Sequence, residues 1–229
     1  MNDQLLRFDK KQKYLVLDTE TEGLNLIKSK PYQVSWIIAQ GDTILEKNNR
    51  YIWWEDLNMS EDAARITRFD KDFYKSKAED PKVVWGDFSK ELYNPEYKIV
   101  GQNLLGFDVY MINVWRKLMG LGSDHSYVNR IIDTLSLARA IAKEDKPDFD
   151  NFICWQYGWN SFFQRGLRTG QAALLKKYNI PHDKNRLHDA LYDIEMNFKI
   201  FRKQLFNICL LYTSPSPRDN TLSRMPSSA

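Results

Sequence analysis

The sequence predicts an α/β domain in which helices pack on a mixed sheet. Three observations favour this class: β-like runs fill the first third of the chain, short strands alternate with helix-like stretches after it, and no internal repeat or linker interrupts the pattern. The 229 residues are 43% hydrophobic and 28% charged, which is the composition of a globular domain. A chain of this length can bury a sizeable core without disulfides.

Three strands are predicted in the first third of the chain. Tyr14–Leu17 is a continuous apolar run that ends at Asp18, as expected for a strand buried on both faces. Gln33–Ala39 and Ile44–Trp54 are β-like runs, and Gly41 lies in a turn between them. We therefore expect a meander of strands.

Helices dominate the remainder of the chain. Ser60 precedes two acidic residues and predicts an N-cap, because acids in a first turn suit the helix dipole. Asp133 predicts a cap for the following helix in the same way. Further helices are predicted over 84–92, 108–119, 134–142, 171–178 and 190–206, and further strands over 97–100 and 131–132. Residues 144–166 fit either a loop or a helical insert.

The charge balance limits the classes of function. A net charge of +3 is close to neutral and argues against a purely electrostatic nucleic-acid binder. It leaves open an enzyme that handles nucleic acid through bound cations. No run approaches the ~18 apolar residues of a membrane helix, no secretory signal is visible, and two cysteines form no disulfide framework. We expect a cytoplasmic protein, or one of the host cytoplasm if it is viral, without a membrane partner.

The end of the chain differs in character from the rest. Cys209–Asp219 is the translation of a DNA string that resembles a widely used transposon-end sequencing adapter, and Ser223–Ala229 translates its continuation. We therefore interpret residues 209–229 as a non-native, disordered tail and exclude them from the fold. The native protein is then expected to contain residues 1–208, and whether it continues beyond Ile208 is left open.

Three clusters of acidic residues and histidine lie along the chain. Asp18 and Glu20 follow the first strand and share one face of it, because side chains two residues apart in a strand point the same way. Asp108 stands where a strand gives way to a helix, and His188 and Asp193 stand at the start of the last helix. Each cluster alone fits an ordinary structural role, as a solvated strand end, a helix cap or a helix start.

Taken together, the clusters are similar to the motifs of the DEDDh branch of the DnaQ-like 3′–5′ exonuclease superfamily. Asp18–Leu24 resembles the first motif, Asn103–Asp108 the second and His188–Asp193 the third, while Ile132–Leu135 is also typical. The first and third motifs look closest to proofreading members such as the epsilon subunits of DNA polymerase III. The resemblance covers Tyr14–Leu205 and implies a single exonuclease domain over residues 1–208. Its fold would be ribonuclease H-like, with a mixed five-stranded sheet flanked by helices.

The resemblance also implies a catalytic set. Asp18, Glu20 and Asp193 would hold a metal ion that carries the attacking water, and Asp18 would bridge to a second ion completed by Asp108. Hard oxygen ligands suit Mg²⁺ or Mn²⁺, and two such ions can activate water and stabilise the leaving oxygen. His188 would take the proton from the water, a role that suits the pKa of histidine.

By the same resemblance, five residues would bind the 3′-terminal nucleotide. Leu24 would pack on the terminal base, the backbone from Thr21 to Gly23 would meet the terminal hydroxyl, and Asn103 and Phe107 would line the pocket. Ordinary packing explains the last two residues equally well.

Two positions depart from the family pattern, which often has Thr at the position of Glu22 and His at that of Gln102. Glu22 would add negative charge near the incoming phosphates, so we expect it to affect substrate affinity and not the catalytic groups.

The sequence therefore predicts a metal-dependent 3′–5′ exonuclease that acts on the 3′ end of nucleic acid, with single-stranded DNA favoured and a DNA polymerase as a possible partner. Two alternatives share the fold: an exonuclease that acts on RNA, and a non-catalytic, polymerase-associated module that binds nucleic acid. A third, an unrelated metal-binding protein, would show no dependence on nucleic acid.

Overall fold

The computed structural model describes residues 6–183, 186 and 189–213, with the side chains of the last helix described as far as residue 210. Its strands are β1 (Lys13–Thr21), β2 (Pro31–Gln40), β3 (Thr43–Ile52), β4 (Ala78–Glu79), β5 (Tyr97–Gly101) and β6 (Ile131–Asp133). Its helices are α1 (Glu61–Thr67), α2 (Lys71–Lys77), α3 (Pro81–Leu92), α4 (Asp108–Leu118), α5 (Thr134–Ala142), α6 (Phe152–Ser161), α7 (Gln171–Lys177) and α8 (Ala190–Thr213). A 3₁₀ turn at Val128–Arg130 leads into β6.

The strands form one mixed sheet in the order β4-β3-β2-β1-β5-β6. β1, β2 and β3 pair antiparallel, whereas β5 pairs parallel with β1 and with β6. The predicted mixed sheet with flanking helices is thus confirmed. It has six strands rather than five, because the two residues of β4 pair parallel with the end of β3. A two-residue strand is too short to leave a periodic pattern in the sequence.

β1 lies in the interior of the sheet, and its side chains alternate between two hydrophobic cores. Leu15 and Leu17 pack in the core that contains Trp115 of α4. Tyr14 and Val16 pack in the core that contains Phe201 of α8. Because successive side chains point to opposite faces, the residues that follow Leu17 continue this alternation past the end of the apolar run.

Most predicted elements are present, and the two predicted caps are confirmed. The Ser60 side chain accepts from the backbone N–H of Ala63, and Asp133 accepts from Leu135 and Ser136. Residues 144–166 include a helix, α6, at Phe152–Ser161.

Two features near β3 differ from expectation. The strand ends at Ile52, two residues before the predicted Trp54, because the backbone N–H of Trp54 donates to the Tyr74 hydroxyl instead of a strand neighbour (2.9 Å). α2, which carries Tyr74 as its buried residue, was not predicted. A helix of seven residues with one buried side chain gives no amphipathic period.

α8 extends to Thr213, seven residues beyond the predicted end at Phe206. Its last five residues belong to the stretch that resembles an adapter, and residues 214–229 lie outside the described part of the chain. The assignment of residues 209–229 as a non-native tail stays a prediction.

Across the described residues, no helix combines the length and the apolar composition that a bilayer crossing requires.

Candidate active site

The end of β1 carries two half-buried carboxylates. Asp18 and Glu20 continue the face of Tyr14 and Val16, which is the face that packs on α8. Burial and the charge of Asp193 raise the pKa of Asp18 to about 7. Burial and the charges of Asp18 and Asp193 raise the pKa of Glu20 to about 8. Both shifts have the sign expected when like charges are held together away from water.

Asp108 begins α4 and is almost fully buried, with 2% of its surface exposed. Its Oδ1 accepts two hydrogen bonds from Thr19, from the backbone N–H (2.8 Å) and from the hydroxyl (2.7 Å). Burial and the charge of Asp18 raise its pKa well above the ordinary value. Phe107 occupies the N-cap position of α4 without a side-chain cap, so Asp108 contacts β1 rather than capping its own helix.

Asp193 lies in the first turn of α8. Gln171, the first residue of α7, donates from Nε2 to its Oδ1 (3.1 Å) and to its backbone oxygen (3.2 Å). The charge of Asp193 contributes to the raised pKa of both Asp18 and Glu20. α8 therefore brings a third carboxylate to the two on β1.

The four predicted carboxylates therefore interact electrostatically. The charge of Asp18 raises the pKa of Glu20 and of Asp108, and the charge of Asp193 raises the pKa of Asp18 and of Glu20. Among the described residues, no group of three or more Asp, Glu, Cys or His side chains is arranged so that it could hold a metal ion. The donor set itself is all oxygen and negatively charged, which suits a hard divalent cation. His188 lies outside the described residues.

A buried aspartate shapes the loop that leads to Asp108. The Asp133 carboxylate accepts from the backbone N–H groups of Asn103 (3.2 Å) and Leu105 (3.0 Å) and from the Asn160 amide (3.0 Å). Asn103 has a positive φ of 64°, and its side-chain oxygen accepts a second hydrogen bond from Asn160. A Cβ at Gly106 would meet the side-chain oxygens of Asn103 and Asn160, so a larger residue there would displace these two hydrogen-bonded side chains.

A cleft of about 580 Å³ opens beside Glu20. Thr21, Gly23, Leu24 and Phe107, four of the five predicted substrate-binding residues, line it. Leu24 is 85% exposed, so it is an apolar side chain without a packing role in the core. Asn103 is not among the lining residues, because its side chain is bonded to Asn160.

One part of the lining of this cleft was not predicted. It comes from α1, which contributes Ala63, Ile66 and Thr67. The predicted cap at Ser60 located this helix along the chain, but nothing in the local sequence placed it in the same cleft as Leu24.

Glu22 has a structural role that the sequence did not reveal. Its carboxylate accepts from the backbone N–H groups of Lys30 (3.0 Å) and Asn58 (2.7 Å), and the Lys30 ammonium lies 3.9 Å away. The backbone oxygen of Glu22 also accepts from Ser60 (2.9 Å). These contacts tie the end of β1 to the segment that leads into α1, and they compensate the charge that was expected to face phosphates.

A second, smaller cleft of about 230 Å³ lies between β1, α7 and α8. Its polar lining consists of Asp18, Gln102, Gln171, Asp193 and Asn197. Gln102, the other departure from the family pattern, accepts from Thr134 (2.7 Å) through its side-chain oxygen and donates to the backbone oxygen of Thr169 (3.2 Å). Three carboxamides thus share this lining with two of the four carboxylates, and one of them, Gln171, is bonded to Asp193.

The fold is that of a ribonuclease H-like domain, and it carries a cluster of four electrostatically coupled carboxylates. The chain belongs to the RNase_T exonuclease family, whose profile matches residues 15–201. No curated protein sequence matches this chain.

Solved structures of exonuclease I share the fold. One that addresses the origin of its processivity has a TM-score of 0.67 at 16% identity over 93% of this chain and 46% of that chain. The zinc-bound E. coli enzyme in complex with single-stranded DNA has a TM-score of 0.67 at 18% identity over 89% and 43%. The E. coli enzyme with a dA16 oligonucleotide has a TM-score of 0.66 at 16% identity over 93% and 46%. The chain therefore spans less than half the length of these exonuclease I chains.

Proposed function

We propose that this chain is a metal-dependent 3′–5′ exonuclease domain that hydrolyses phosphodiester bonds at the 3′ end of nucleic acid, with single-stranded DNA favoured. The observation that carries the proposal is the charge-coupled set of four carboxylates beside a cleft with an exposed apolar residue, Leu24. Membership of the exonuclease family supports it.

The four carboxylates fit Mg²⁺ or Mn²⁺. Asp18, Glu20 and Asp193 would hold one ion, and Asp18 and Asp108 a second. Like charges whose pKa values are raised by burial and by each other gain most from a cation that neutralises them. When bound, such ions acidify a water molecule and offset the charge on the leaving oxygen.

The protein's own groups do the remaining work. Thr19 holds Asp108 through two hydrogen bonds, and Asp133 holds the loop before it. His188, at the start of the third motif, would accept the proton of the attacking water. Loss of a general base typically reduces a rate by about 10²–10⁴.

The cleft beside Glu20 would receive the terminal nucleotide. Leu24 and Ile66 are both exposed apolar residues in its lining, 85% and 49% exposed, and would contact the terminal base. The preference for single-stranded DNA rests on the resemblance to proofreading exonucleases. The E. coli exonuclease I structures with single-stranded DNA and with dA16 are consistent with it.

The test is a trimming assay with 5′-labelled single-stranded DNA, duplex DNA and RNA, in Mg²⁺, in Mn²⁺ and in EDTA. The proposal predicts a ladder of shortened products that requires the metal and is strongest on single-stranded DNA. Stronger trimming of RNA would assign the chain to the exoribonuclease alternative. Binding without trimming in either metal would contradict the enzymatic proposal and favour a polymerase-associated binding module.

Two variants test the assigned roles. His188→Ala and Asp193→Ala are each expected to nearly abolish metal-dependent trimming while retaining the fold, which circular dichroism checks. Near-parental activity in either variant would reject the role given to that residue.

A further inference from the structure

The carboxylate of Asp193 is held by a side chain that lies outside the three acidic motifs. Gln171 donates from Nε2 to Asp193 Oδ1 (3.1 Å) and to the Asp193 backbone oxygen (3.2 Å). Both acceptors belong to one residue, so this amide links the position of the backbone to the orientation of the side chain.

The position of Gln171 is itself fixed by packing. It begins α7, whose Leu174 and Leu175 are buried against Tyr192, Met196 and Ile200 of α8. The residue is half-buried and lines the smaller cleft together with Asp18 and Asp193. The donor therefore reaches Asp193 from a helix that is packed against α8, the helix that carries Asp193.

This geometry constrains what Asp193 can offer to a ligand. A hydrogen bond to Oδ1 from a neutral donor restricts the rotation of the carboxylate about the Cβ–Cγ bond. Hydrogen bonds of this kind orient carboxylate ligands, and their loss typically weakens metal binding by about 10–100-fold. Glutamine suits the task, since its amide donates without adding charge to an acidic cluster.

We propose that Gln171 is a positioning residue that orients the Asp193 carboxylate for divalent-cation binding. The inference rests on the proposed metal-dependent function. Gln171 needs no contact with the nucleic acid or with the reacting phosphate for this role.

Mn²⁺ binding to the full chain without nucleic acid, followed by electron paramagnetic resonance, tests the proposal. Gln171→Met keeps the length of the side chain and the helix propensity but removes the donor, and Gln171→Asn keeps the amide but withdraws it by one methylene. Both variants are expected to raise the Mn²⁺ dissociation constant by about tenfold. High Mn²⁺ should then restore their trimming rate, which damage to the fold would not allow.

Gln204→Met is the matched control. Gln204 is buried on α8 and donates to the backbone oxygen of Thr134 (2.8 Å), at a distance of eleven residues along the helix from Asp193. Its loss should lower the melting temperature and leave Mn²⁺ affinity within about twofold of the parent. Parental Mn²⁺ affinity in Gln171→Met would overturn the role of Gln171 alone. A parent chain that binds no Mn²⁺ would contradict the metal-dependent function and this role together.

Discussion

The carboxylate of Asp108 is bonded twice to Thr19, the residue that separates Asp18 from Glu20 on β1. Thr19 continues the face of Leu15 and Leu17, whereas its two acidic neighbours continue the opposite face. The end of β1 therefore presents Asp18 and Glu20 on the face that packs on α8, and through Thr19 it hydrogen-bonds Asp108 at the start of α4. Alternation of side chains along β1 is the simplest account of how the four acids meet.

Thr19→Val should reduce trimming while the fold is retained. The substitution removes the hydroxyl donor to Asp108 at constant shape, and a hydrogen bond to a charged group contributes about 1.5–3 kcal/mol. We expect a decrease of about 10–100-fold in kcat/KM, measured on a single-stranded oligonucleotide. Thr19→Ser keeps the hydroxyl and is expected to stay near the parental rate. Parental activity in Thr19→Val would contradict a role for the hydroxyl hydrogen bond, and equal loss in both variants would show that the effect is not specific to that bond.

The metal-free protein should become less stable as the pH rises. The pKa of Asp18 is raised from 3.8 to about 7 and that of Glu20 from 4.5 to about 8. A carboxyl with a raised pKa in the folded state stabilises the fold below its unfolded pKa, and this contribution is lost as the pH passes through the folded pKa. Denaturation in EDTA should therefore show a falling free energy of unfolding between about pH 5 and pH 8.

Mn²⁺ added at the upper end of this pH range should reverse the loss, because a cation binds the ionised carboxylates of the folded state. A free energy of unfolding that is constant or rises across the range in EDTA would contradict the proposed repulsion among the carboxylates.

Asp18→Asn should separate stability from activity. The substitution removes a charge that is repelled by Asp193 and by the acids around it. In EDTA at about pH 8, the free energy of unfolding should rise by up to about 4 kcal/mol, because the pKa of Asp18 is raised from 3.8 to about 7 and each unit corresponds to about 1.4 kcal/mol. Trimming in Mg²⁺ should be lost. Denaturant titration gives the first quantity, and a decrease in stability would argue that Asp18 is held by favourable contacts.

Glu22→Ala should weaken substrate binding more than the chemical step. The Glu22 carboxylate accepts from the backbone N–H of Asn58, in the segment before α1, and from that of Lys30, just before β2. Residues of α1 line the larger cleft. Loosening this part of the lining should raise KM for a single-stranded oligonucleotide several-fold and leave kcat near the parental value. Glu55→Ala, an exposed acid in the same segment, is the control. A higher affinity in Glu22→Ala would instead mean that its charge repels the phosphates.

Asp133→Ala should be the most destabilising of these changes. Asp133 is fully buried, and its carboxylate accepts from the backbone of Asn103 and Leu105 and from its own helix cap. Removal leaves several buried donors unsatisfied, each at a cost of about 1–3 kcal/mol. Thermal unfolding measures the effect, and Asp148→Ala, which removes an exposed turn acceptor, should shift the melting temperature little. A similar small shift for Asp133→Ala would show that the loop does not depend on it.

The parts of the structure that the sequence predicted are those with local signals. The apolar run before Asp18, the caps at Ser60 and Asp133 and the periodicity of α8 each depend on neighbouring residues. β4 and α2 were missed because two and seven residues are too few to show a period.

The same difference between features with and without a local sequence signal holds for the candidate site. The four carboxylates were recognised because their motifs are short and ordered along the chain. Gln171 and Glu22 contribute through partners 22 and 36 residues away, and no local pattern reports such contacts. Asn103 was expected in the nucleotide cleft, whereas its side chain is bonded to Asn160, which lies in α6, a part of the chain with no readable pattern.

The most direct test of a single metal-dependent site compares the parent with Asp108→Asn on a 5′-labelled, single-stranded oligonucleotide in Mg²⁺ and in EDTA. Asp108 is the most deeply buried of the four carboxylates of the candidate site, and an amide at this position keeps the shape and the acceptor for Thr19. We predict stepwise shortening from the 3′ end by the parent in Mg²⁺ alone, and no shortening by the variant, although both melt at similar temperatures. Shortening by folded Asp108→Asn at the parental rate, or by the parent in EDTA, would contradict the account.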